Sequence, residues 1–118
     1  MGFFDFFTGA ADKTLGTLET ANKVYSLYES VIDGRIDDTI QSALSLLGSA
    51  YVSHNKNEQK RMLIAALEKR NAILQYDPCT FEEEEALSKM LDATNKAIID
   101  ISNRLGYYDI ANSVLEML

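Results

Sequence analysis

Apolar positions along this chain recur every three or four residues and nowhere alternate. Over 81–105 the residues Leu87, Met90, Leu91, Thr94, Ala97, Ile98, Ile101 and Leu105 fall on one stripe, the mark of a helix with one buried face. Thr80 is the expected N-cap, and Glu83 three residues later completes a Thr-x-x-Glu capping box. Pro78 keeps the preceding backbone out of helix. The acids at 82–85 sit at the positive end of the helix dipole, and Gly106 supplies the stop. Such a helix is roughly 37 Å long at 1.5 Å per residue, so other helices must pack along it.

Leu15, Leu18, Ala21, Tyr25, Tyr28 and Ile32 predict a helix over 10–33, ended by Gly34, with the tyrosine hydroxyls at the rim of the core. Asp37 or Asp38 is the expected cap of a second helix reaching about residue 53, with Ile36, Ile40, Leu44, Leu47 and Tyr51 buried. Ser42, Ser45, Gly48 and Ser49 give it a second face of small side chains. That face admits close approach by a neighbouring helix, either of this chain or of a second copy in a homodimer. Asn57 is the expected cap of a third helix over 58–75, with Met62, Leu63, Ala66, Leu67, Ile73 and Leu74 on its stripe. Ile64 and Ala65 widen that stripe, which predicts a central, multiply contacted helix. A short terminal helix over 107–118 places Ile110, Ala111, Val114, Leu115 and Leu118 on one side, with Asp109 near its start. Period-2 alternation and hairpin dipeptides are missing, so no strand is expected. The predicted fold is all-α: one domain over 1–118, an antiparallel bundle of four main helices with short helical N- and C-terminal segments.

With 118 residues, 47% of them apolar, the chain can bury one core. Its net charge of −7 argues against direct nucleic-acid binding and suits a cytoplasmic protein or one with a basic partner. A single cysteine, Cys79, excludes an internal disulfide and fits a reducing compartment. No signal peptide is expected, because the start lacks a positive region and Asp5 interrupts its apolar run. The charges are unevenly placed. Residues 56–70 carry five basic and two acidic side chains, 29–38 four acidic and one basic, and 77–85 only acidic ones. Lys69 and Arg70 precede that last stretch closely enough to predict an electrostatic match across the turn.

Four phenylalanines, Phe3, Phe4, Phe6 and Phe7, crowd the first eight residues and demand an apolar partner. The domain's own core, another protein and a membrane surface are the three candidates, the last weakened by the lack of basic residues beside them. Glu82, Glu83, Glu84 and Glu85 read first as a solvated, dipole-matched helix start and second as a docking patch for a basic partner. His54 is the only histidine, so no histidine cluster can hold a metal. His54 and Cys79 fall at opposite ends of one predicted helix, which rules out a Cys–His dyad. No phosphate-binding glycine loop or Gly-x-Ser-x-Gly elbow occurs, and neither an enzyme activity nor a cofactor is expected.

The N-terminal Met1-Gly-Phe-Phe-Asp with Gly9-Ala10, the series Asp77, Phe81, Glu85, and Asn103-Arg-Leu-Gly106 together resemble TerB-like tellurite-resistance proteins. The resemblance implies an all-helical fold and an acidic inter-helix loop, with Asp77 and Glu85 as candidate metal ligands in a stress or phage-defence setting. The chain departs from that family where Pro78-Cys79 replaces a glycine and where His54-Asn55-Lys56 replaces a first acidic loop. The leading expectation is a small acidic protein of accessory, immunity or inhibitor type, bacterial or phage, that binds another macromolecule without catalysis. A metal-responsive module and a membrane-surface adaptor are the alternatives.

Overall fold

A computed structural model describes residues 16–117. Phe3, Phe4, Phe6, Phe7 and Leu118 lie outside the described residues, as does the first quarter, 10–15, of the expected 10–33 helix. Among the described residues five helices follow one another: α1 (Gly16–Tyr28), α2 (Gly34–Val52), α3 (Lys56–Gln75), α4 (Phe81–Leu105) and α5 (Tyr108–Leu115). Among the described residues there is no strand. An all-α bundle of four main helices with a short C-terminal one is therefore what the described residues form.

α4 is the axis of the bundle and touches all four other helices. Leu87, Met90, Ala97, Ile98 and Ile101 are buried along it, and the buried set widens to Ala86, Ala93 and Asn95 on its flanks. Thr80 caps its start, its Oγ1 accepting the Glu83 N–H at 3.0 Å. Gly106 ends it in the left-handed region at φ 89. There the N–H of Gly106 donates to the Asn103 carbonyl and that of Tyr107 to the Ser102 carbonyl, at 3.2 and 2.8 Å. This paired closure satisfies carbonyls that a helix end otherwise leaves open.

α1 runs antiparallel to α4. Thr17 Oγ1 donates to Asp100 Oδ2 at 2.6 Å near one end, and Lys89 lies over the Tyr28 ring at 5.9 Å toward the other. α2 and α3 form a hairpin across residues 53–55 and share the most extensive contact in the bundle. Tyr107 sets α5 against the same end of the bundle as that hairpin turn, its hydroxyl donating to the Lys56 carbonyl at 2.9 Å. Leu18, Ile40, Leu47, Leu63, Ile98 and Val114, drawn from all five helices, belong to one buried cluster.

Several boundaries differ from expectation, each because a side chain competes for backbone. α1 ends at Tyr28, short of 33, and Gly34 opens α2 where it was expected to close α1. The cause is Asp33. It is the N-cap of α2, with extended backbone and its carboxylate accepting the Arg35 N–H at 2.8 Å. Asp37 and Asp38 are therefore not the caps; Asp37 instead accepts the Tyr25 hydroxyl. Asn55 caps α3 in place of Asn57, accepting the Glu58 N–H at 3.1 Å.

α3 is not the central helix that its wide stripe predicts. Leu63, Ala66 and Ile73 are buried, but Ile64 and Leu74 are 39% and 47% exposed. Leu115 of α5 is also exposed. The small-residue face of α2 divides: Gly48 is buried, Ser42 and Ser49 are half-buried, and Ser45 is exposed. Lys69 of α3 lines an open surface hollow together with Ser42 and Ser45.

Candidate interaction surface

Glu83 lies one turn before Leu87 on the buried stripe of α4, and the helix carries it inside, 5% exposed. A buried carboxylate is costly unless it is fully hydrogen-bonded. Its Oε2 accepts the Asp33 N–H and its Oε1 the Cys79 N–H, both at 2.8 Å. The Tyr76 hydroxyl stands 3.3–3.4 Å from the two oxygens. The expected capping box therefore forms only in its Thr80 half. Its other half is redirected, because Glu83 reaches past Thr80 to the loop N–H of Cys79 and across to Asp33. A single side chain thereby fastens the α1–α2 loop to the α3–α4 loop.

That fastening gathers the two acid-rich stretches of the sequence at one end of the bundle. Together residues 29–38 and 77–85 hold nine carboxylates and one guanidinium, that of Arg35. The net charge being −7, the rest of the chain is close to neutral. Arg35 is already engaged, its Nε and Nη2 forking onto the two Asp33 oxygens at 3.1 and 3.2 Å. This fork, with the Arg35 N–H, holds the Asp33 carboxyl below its ordinary pKa. The field of this end is also felt by its tyrosines. Burial, then the hydrogen bond to Asp37 and the nearby charges of Asp37 and Glu29, push the Tyr25 hydroxyl up. Burial and the charges of Asp33 and Glu83 do the same to Tyr76.

Glu82, Glu84, Glu85 and Asp77 are exposed at this end, and Glu85 lies 3.9 Å from Lys89. Glu83 is not part of a docking patch, since its oxygens are consumed inside. Phe81 stands out among these acids, 75% exposed, and Leu27 at the close of α1 is 72% exposed. Apolar groups ringed by charge are the usual make-up of a protein-binding surface.

The cations are placed otherwise than the sequence predicts. Arg70 shares the stripe of Leu63, Ala66 and Ile73 and is buried, 2% exposed. Its Nε donates to Asn95 Oδ1 at 2.7 Å, and its Nη1 to Asn71 Oδ1 at 3.0 Å and to Met117 Sδ at 3.2 Å. Among the described residues no ion pair joins Lys69 or Arg70 to the acids at 77–85, so the expected match across the turn is not made. Of the basic side chains left on the surface of α3, Lys56, Lys60 and Arg61 lie in its first two turns, at the end of the bundle remote from Glu83, and Lys69 lies exposed in its second half.

His54 and Cys79 flank α3 at opposite ends. The resemblance that makes Asp77 and Glu85 candidate ligands gains no third donor here: among the described residues no group of three or more His, Cys, Asp or Glu is arranged to hold a metal. Among them, too, no helix is long and apolar enough to cross a membrane. Compared with protein-family models, with curated proteins and with solved structures, the chain matches none.

Proposed function

We propose that this protein acts by binding another protein through its acidic end, as an accessory or inhibitor-type adaptor without catalysis. The observation that carries this reading is the Glu83 clamp, which fixes two acidic loops side by side around the exposed ring of Phe81. Fixed loops lose little freedom on association, which favours binding. A concentration of carboxylates with a solvent-facing aromatic fits a basic surface carrying an apolar pocket, and speeds encounter with it.

The test is affinity capture from the native cell with the wild type and with Phe81→Ala/Glu82→Lys/Glu84→Lys. All three positions are exposed, so the fold is expected to survive. A partner held by the wild type at low salt, released at high salt and not held by the variant supports the reading. A partner held equally by both contradicts it.

A further inference from the structure

The outer face of α3 forms a shallow open groove of about 450 Å³ lined by Asn57, Lys60, Arg61, Ile64, Ala65 and Glu68. It is the counterpart of the acidic end in charge. Ile64 gives it an apolar floor, 39% exposed, flanked by Lys60 and by Arg61, which is paired with Glu58 at 3.1 Å, and Glu68 also lines it. The acidic end offers the opposite: a projecting phenyl ring among carboxylates. We propose that the groove on α3 receives the acidic end of a second copy of this chain, with Phe81 seated over Ile64 between Lys60 and Arg61. This rests on the acidic end being a docking surface, and names one surface that it docks to.

The occupant follows from charge complementarity. The most concentrated negative surface and the surface cations of the first turns of α3 lie on the same chain, near opposite ends of α3. They cannot meet within one molecule but can meet between two. A ring held between an ammonium and a guanidinium gains cation–π attraction in addition to its burial. Carboxylates around the ring meet the same cations, which sets the orientation. Because the two surfaces differ, a head-to-tail contact leaves one acidic end free for another partner, and a reciprocal dimer covers both. Self-association thus competes with partner binding for the acidic end. The contact is small, so it is expected to be weak.

The experiment is sedimentation of the full chain at about 0.15 M salt, where the Debye length of about 8 Å screens the repulsion between two chains of charge −7. Mass above the monomer is expected to grow with concentration between about 10 µM and 1 mM and to fall away at about 1 M salt. Lys60→Glu/Arg61→Glu and, separately, Glu82→Lys/Glu84→Lys are each expected to weaken association by about tenfold or more. An equimolar mixture of the two variants is expected to regain it, because each reversed surface then meets its complement. That regain also shows that both variants are folded. A chain that stays monomeric throughout, or variants whose mixture stays dissociated, overturns the proposal. If capture of a basic partner survives that result, only the second copy is lost; if capture also fails, the acidic end is not a docking surface.

Discussion

A single carboxylate, that of Glu83, ties two loops of this protein together. Glu83 is on the period of Leu87, Met90 and Thr94, so its burial was legible in the spacing. Its capping-box position drew the reading toward Thr80 instead. Arg70 repeats the lesson: the spacing that buries Leu63, Ala66 and Ile73 buries it too, although its charge reads as surface. What spacing does not reveal is where the buried polar atoms find partners, because Asp33 is fifty residues from Glu83. Removing the carboxylate by Glu83→Ala leaves the Asp33 and Cys79 amides without their acceptor. The expected cost is about 2–4 kcal/mol, above the ~1 kcal/mol of an ordinary cap. Urea denaturation measures it, and a loss under about 1 kcal/mol would contradict the clamp.

The pH profile is set by the same neighbourhood. Asp33 has a depressed pKa, so its contribution is present above the ordinary carboxylate range and is lost as pH falls through it. Tyr25 and Tyr76 have raised pKa values, so theirs is complete below about pH 10 and is lost as pH rises beyond that. Urea midpoints are therefore expected to hold steady near neutrality and to fall on both sides. A midpoint that climbed above pH 10 would contradict the burial of the Tyr25 hydroxyl against Asp37.

Among the elements, α4 was the most legible, since Thr80 and Gly106 punctuate it and tertiary contacts leave both ends where local chemistry puts them. The end of α1 was not, because periodicity continues through Ile32, which is buried after the helix has already stopped. The chain there leaves the helix yet keeps its apolar side chain in the core. Within α4 the stripe also has a depth that spacing cannot grade. Ile98 is fully buried, whereas Leu91 is half-buried at the edge of the core. Ile98→Ala is expected to cost about 2–5 kcal/mol and Leu91→Ala clearly less. Thermal or urea melts of the two variants decide the order; equal losses would mean that Leu91 is as deep as Ile98.

For the molecule as a whole, the charge runs visible in the sequence become a polarity of the bundle only after folding. The helix count and the turns bring residues 29–38 and 77–85 to one end and the first turns of α3 to the other. The binding reading depends on the two acidic loops acting as one surface, and the most direct measurement is amide hydrogen exchange at Asp33 and Cys79. In the wild type both amides are expected to be protected, since each donates to Glu83 at 2.8 Å. In Glu83→Gln protection is expected to fall at both sites together, and by more than at the core turns around Ile98, whose exchange follows the global stability. Rapid exchange at Asp33 in the wild type, or protection there that survives the substitution unchanged, would contradict the account.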